Sequence, residues 1–162
     1  MDAERLLTQL RAQSANRALF YLAAYDALAD EIGAARAEAV LTRAVRLRGR
    51  AAGEGLRRFA PADLAGLKDA FLGSLPGGEA LFRPEVRRCD ATALEIRVTA
   101  CPLKQAWQEA GVPAGKCATL CRIAGAVDLG TFEEAGFGIE NRTWRPGQEG
   151  CCNLTITPGP SA

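Results

Sequence analysis

The sequence predicts an α+β fold: N-terminal helices packed on an antiparallel sheet of two β-hairpins, with a helical insert separating the hairpins. Three observations carry this expectation. From Ala3 to Phe71 apolar side chains recur at steps of three and four, the helical period. Past the turn Leu75-Pro76-Gly77-Gly78 the period falls to two, as in half-buried strands. The strand patterns then come in two neighbouring pairs with helical stretches between them, rather than alternating singly with helices as a parallel sheet requires.

The first stripe runs through Ala3, Leu7, Leu10, Ala18, Tyr21, Tyr25, Leu28 and Ile32, with Ser14 its polar member. It predicts one long amphipathic helix, or two broken near Ser14-Ala15-Asn16, stopped at Gly33. A second stripe takes in Ala37, Val40, Leu41, Ala44, Val45, Ala52, Leu56 and Phe59. Its opposite face carries Arg36, Arg43, Arg46, Arg50 and Arg57 and reads as a solvated surface. Gly49 and Gly53 cost stability inside a helix, which predicts close backbone packing there. Ala60-Pro61-Ala62-Asp63 opens a third helix, with proline near its first position and Leu64, Leu67 and Phe71 on one face, ending at Gly73.

In the second half Phe82, Pro84 and Val86 alternate with Arg83, Glu85 and Arg87. Leu94, Ile96, Val98 and Ala100 alternate with Glu95, Arg97 and Thr99. Cys89-Asp90-Ala91-Thr92 joins these segments as a hairpin, and Pro84, which cannot donate to a ladder, puts the first strand at an edge. Helices follow over Pro102–Ala110 and Ala114–Leu129. The second hairpin has Phe137, Ile139, Asn141 and Thr143 on one face of its first strand, and Cys152, Leu154 and Ile156 on one face of its second. Arg145–Gly150 forms the turn, and the tail Pro158–Ala162 is expected to fray. One domain spans 1–162, with a helical half over 1–73 and a mixed half over 79–157.

Composition narrows the chemistry. The chain of 162 residues holds six cysteines and no histidine, with a formal net charge of +1. That charge gives no drive toward nucleic acid or an anionic membrane. The longest apolar run, Ala18–Tyr25, is far too short to span a bilayer. Met-Asp-Ala-Glu-Arg at the start lacks the apolar stretch of a secretory leader, so a cytoplasmic location is expected, where thiols stay reduced. Without histidine, acid/base and nucleophilic work falls to thiols, carboxylates, Lys, Tyr or Arg.

Cys101 ends a strand and directly precedes Pro102, the expected first residue of a helix. Unpaired N–H groups there favour a thiolate, and Lys104 in the first turn adds positive charge. Cys117, Cys121, Ala124 and Asp128 are spaced four, three and four apart and share one helical face. Cys151 and Cys152 are adjacent on a strand, so at most one of them is expected in any one site, and Cys152 shares its face with Leu154 and Ile156. Asn141 and Arg142 lie mid-strand opposite, where an arginine can clamp a carboxylate.

Taken in order, several segments resemble the L-2-amino-thiazoline-4-carboxylic acid hydrolase family. These are Tyr25–Gly33, Ala37–Leu41 and Arg48–Gly53 in the helical half. In the mixed half they are Cys101-Pro102-Leu103 before a Trp-containing helix, Leu120-Cys121, Arg142-Thr143, and Gly147 before Cys151-Cys152. Arg122-Ile123-Ala124 stands where the family usually has an acid after its second cysteine, and Asn153-Leu154 stands where it commonly has Asp-Phe. The C-terminal half is also similar to four-vinyl-reductase-type small-ligand domains.

The resemblance implies hydrolytic opening of a cyclic isothiourea that bears a carboxylate. The expected catalytic residues are Cys101, Cys121, Cys152 and Asp128, and the expected substrate-binding residues are Arg142, Asn141 and Lys104. No cofactor is expected. The alternative is a small-ligand or metal sensor in which Cys101, Cys121 and Cys152 are thiolate ligands, and a third reading is a structural domain with buried cysteines. The partner is a small molecule, with neither nucleic acid nor membrane. The broad first stripe with its two tyrosines also points to a homodimer.

Overall fold

The computed structural model describes residues 2–160. Helix α1 runs unbroken over Ala3–Ile32; the side chain of Asp2 accepts the Glu4 N–H at its start. Gly33 ends it with φ +83°, a conformation that L side chains rarely adopt. Helix α2 (Ala34–Gly53) folds back along α1 and continues into a 3-10 turn over Glu54–Phe59.

The two glycines in α2 form a notch for a second long helix, α6 (Ala114–Glu134). A Cβ on Gly49 would lie 2.1 Å from the Val127 carbonyl oxygen, and one on Gly53 would lie 2.2 Å from that of Thr131. Gly130 answers from the other side, its Cβ position 2.0 Å from the Arg46 carbonyl oxygen. The Thr131 hydroxyl bonds across the seam to Gly49 O at 3.2 Å. The packing role expected for Gly49 and Gly53 is what the structure shows. Gly130 also explains why α6 passes Leu129: that glycine is a contact point inside the helix, and the stop is Gly136, at φ +90°.

Helix α3 covers Leu64–Gly73 and begins later than expected. Asp63 is its cap, accepting the Gly66 N–H at 2.9 Å, so Pro61 lies outside the helix. One further turn, α4 (Glu79–Phe82), was not foreseen; it takes Phe82 out of the first strand, which begins after Arg83 turns the chain at φ 44°.

Strands β1 (Pro84–Cys89), β2 (Leu94–Val98), β3 (Gly138–Arg142) and β4 (Asn153–Thr157) form one antiparallel sheet in the order β1-β2-β4-β3. Pro84 is therefore on an edge strand, as its missing N–H requires. The two hairpins meet where Ile96 pairs with Leu154. Between them in sequence lie helix α5 (Pro102–Glu109) and α6. The tail expected to fray is held as far as Gly159, whose N–H bonds to Pro61 O at 2.8 Å; its last residues, 161 and 162, lie outside the described part.

Apolar burial is organised in two adjoining clusters. One joins α1, α2, α5 and α6 around Trp107, which is fully buried and donates its indole N–H to Ala18 O at 2.7 Å. The other lies under the sheet, where Leu94, Ile96, Leu154 and Ile156 pack with Leu67 and Phe132. Helices α3 and α6 touch the strands directly, while α1 and α2 sit behind α5 and α6. Among the described residues no helix is long and apolar enough to cross a membrane.

Candidate functional site

A cavity of about 170 Å³ opens between the two clusters. The sheet side contributes Phe71, Ile96 and Leu154 to its wall, and the helical side Leu103, Trp107 and Val127. Four thiols reach it: Cys101, Cys121, Cys151 and Cys152. So do Asp128 of α6 and Arg17 of α1. All four residues expected to be catalytic therefore face one space.

Cys101 occupies the N-cap of α5 with extended backbone (φ −146°, ψ 115°), and Pro102 starts the helix as expected. The N–H groups of Leu103 and Lys104 at the start of α5 favour a thiolate there. They are outweighed. The hydrogen bond with Cys151, followed by burial, pushes the Cys101 thiol well up. The accessible thiolate expected at this corner is thus corrected: the neighbouring Cys151 thiol and burial against the helical cluster outweigh the helix terminus.

The Cys151-Cys152 pair also departs from expectation. Both residues reach the cavity, with their sulfurs 3.2 Å apart. Alternation fails because the pair lies just before β4, in a bulge: the Cys151 N–H bonds to Val98 O at 2.9 Å, and Val98 N–H bonds to Cys152 O at 2.8 Å. Two residues thus oppose one, which re-aims side chains that a regular strand would send to opposite faces. At Cys151 the hydrogen bond with Cys101 pulls the thiol down, but the Cys152 contact and burial leave it raised. Burial likewise pushes Cys121 up. Cys117, one turn earlier on α6, is fully buried and does not line the cavity, and Cys89 is exposed on the β1–β2 hairpin.

Asp128 sits two helical turns from Cys121. Burial pushes its carboxyl from the ordinary 3.8 up to about 7, opposed by a hydrogen bond from Asn141. The Asn141 amide nitrogen donates to Asp128 Oδ2 at 3.0 Å and to Gly125 O at 3.1 Å. Its own Oδ1 is buried without a hydrogen-bond partner. Gly125 permits this approach, since a Cβ there would lie 2.6 Å from Thr143 Cγ2 and 3.0 Å from Asn141 Nδ2.

The three residues expected to bind substrate are not on the cavity wall. Asn141 holds Asp128 from behind. Arg142 is exposed and paired with Glu140 at 2.8 Å, on a separate polar cleft with Arg122 and Thr143. Lys104 bonds to Gly150 O and lies 5.4 Å from the Trp144 ring centroid, pinning the loop before the cysteine pair. As a thiolate metal centre, Cys101, Cys121 and Cys152 are not preassembled: among the described residues no three Cys, Asp or Glu side chains are arranged to hold a metal ion.

Among the polar side chains of the wall, Cys151 and Arg17 are the two outside the set expected from the sequence. Cys151 was hidden by the bulge. Arg17 had a signal, since it continues the steps of four, three and four from Leu10 through Ser14 to Tyr21 and so lies beside the apolar stripe.

No curated protein and no solved structure matches this chain significantly. The family model described as L-2-amino-thiazoline-4-carboxylic acid hydrolase matches residues 13–154, a span that contains every residue of the cavity wall from Arg17 to Leu154. The chain belongs to the L-2-amino-thiazoline-4-carboxylic acid hydrolase family.

Proposed function

We propose that this protein hydrolyses a small cyclic isothiourea carrying a carboxylate, of the 2-aminothiazoline-4-carboxylate kind, by breaking the ring carbon–sulfur bond. The observation that carries the reading is the gathering of Cys101, Cys121, Cys152 and Asp128 on one apolar cavity. Its volume of about 170 Å³ suits a single small ring, well below the roughly 300–1,000 Å³ of pockets for larger ligands.

Cys101 and Cys121 are pushed well above the ordinary thiol range, so a nucleophilic sulfur there needs a base. Asp128 supplies it, since a carboxyl at about 7 is matched to proton transfer in both directions. Cys101 Sγ bonds to the ring carbon between nitrogen and sulfur while its proton passes to Asp128. The ring carbon–sulfur bond then breaks, and Asp128 returns the proton to the departing sulfur. Water adds to the same carbon, the Cys101 bond breaks, and the thiol regains a proton from that water. The net change is addition of one water, giving a carbamoyl-cysteine. The Leu103 and Lys104 N–H groups stabilise negative charge on Cys101 Sγ at each passage. Cys121 and Cys152 complete the thiol-lined wall.

Walls drawn from both halves of the chain support one domain over 1–162. A chemistry that needs unpaired thiols supports the cytoplasm. Exposed Leu19 and Phe20 on α1 support a homodimer through that helix. Incubation with 2-aminothiazoline-4-carboxylate, followed by mass spectrometry, tests the activity: a product heavier by one water is expected. Absence of turnover by protein purified with a stoichiometric thiolate-bound metal would favour the sensor reading instead.

A further inference from the structure

The cavity wall is almost wholly apolar, and only two of its side chains carry a full charge in their ordinary state: Arg17 and Asp128. They arrive from different helices, α1 and α6, and differ in setting. Asp128 is held in place by Asn141, whereas Arg17 is exposed, which places it at the solvent side of the cavity. Arg17 makes no ion pair with any described residue, in contrast to Arg46, Arg57, Arg122 and Arg142, each held by a glutamate. The two cations that the sequence offered as carboxylate ligands are committed elsewhere, Arg142 to Glu140 and Lys104 to the Gly150 carbonyl.

Resting on the hydrolase reading above, we propose that Arg17 is the specificity-determining residue that binds the substrate carboxylate. A 2-aminothiazoline carboxylate has an anionic group on one side of its ring and amidine N–H groups on the other. The cavity offers the opposite pattern, a guanidinium at the mouth and a carboxylate acceptor within. The guanidinium fork takes a carboxylate through two parallel hydrogen bonds. With that end fixed at the mouth and the amidine N–H groups directed to Asp128, the carbon between nitrogen and sulfur is turned inward to the thiols. Rings without the acid group lose this anchor and are discriminated against on binding.

The test compares wild type, Arg17→Gln and Arg17→Lys on two probes, 2-aminothiazoline-4-carboxylate and 2-amino-2-thiazoline, which lacks the carboxylate. Arg17 is exposed and without an ion pair among the described residues, so both variants should keep the wild-type circular dichroism spectrum and unfolding midpoint. Arg17→Gln should lower kcat/KM for the acid about tenfold to a hundredfold, chiefly through KM, and leave the analogue unchanged, with Arg17→Lys in between. Equal losses on both probes, or none on either, overturn the anchor while leaving hydrolysis standing. Calorimetric binding of both probes separates the two ideas. Arg17-dependent binding of the acid without turnover keeps the anchor and removes the hydrolase reading; an acid that binds no better than the analogue overturns the anchor.

Discussion

Replacing Asp128 by asparagine probes both the energetics and the chemistry of the cavity. The substitution is nearly isosteric, and the Asn141 amide nitrogen, now 3.0 Å from Oδ2, keeps an acceptor in the new side chain. What is removed is a carboxyl whose value rises from 3.8 to about 7 on folding because it is buried. Such a group holds its proton more tightly in the native state than in the unfolded chain. Its contribution to stability is fully present below about pH 4 and is lost as pH rises through about 7. A shift of about 3 units corresponds to about 4 kcal/mol in all, of which about 2.5 kcal/mol falls between about pH 5 and about pH 8. Urea unfolding of both proteins across that window isolates the group, because all other titrations cancel in the difference. Wild type should lose about 2.5 kcal/mol relative to Asp128→Asn as pH rises across the window. In parallel, kcat/KM of wild type should climb through about pH 7 as the base form appears. The variant should be slower by roughly 10²–10⁴-fold, with no such rise. A stability difference that does not change with pH would mean that Asp128 titrates as an ordinary carboxyl and cannot serve as the base.

Gly49→Ala drives a methyl into the Val127 carbonyl and should destabilise the fold by about 1–3 kcal/mol, while Gly55→Ala, with nothing within 4 Å, should cost little; urea midpoints compare them. Mild alkylation at neutral pH followed by peptide mapping should modify Cys89 first and Cys101, Cys121 and Cys151 slowly. Cys89 is exposed, and the other three thiols are shielded and raised. Prior labelling of Cys101 would mean that the helix terminus governs its thiol after all.

Much of the architecture was legible because it is local. The change of period after Gly78 separates helices from strands, Gly33 punctuates α1 and α2, and Pro84 marks an edge. The spacing of Cys121 and Asp128 puts both on one face of α6, and the Cys101-Pro102 junction fixes a thiol at a helix start. These readings need only neighbours a turn away. What stayed hidden depends on partners far along the chain. Arg17 joins the cavity only because α1 packs on α5, through the bond from Trp107 to Ala18 O. The raised Cys101 thiol depends on Cys151, fifty residues later, and the bulge that aims Cys151 depends on its pairing with Val98. Arg142 looked free in sequence because nothing there reveals that Glu140, two residues before on the same face of β3, holds it.

Whether ring opening runs through a bond between Cys101 and the substrate carbon is decided by acid-quenched single turnover and peptide mass spectrometry. With 2-aminothiazoline-4-carboxylate, the peptide containing Cys101 should carry the mass of one whole substrate molecule, because the ring opens onto sulfur without losing an atom. That adduct should be missing from Cys101→Ser, along with activity. A serine variant that turns over at the wild-type rate, or an adduct found on another cysteine instead, would remove Cys101 as the nucleophile.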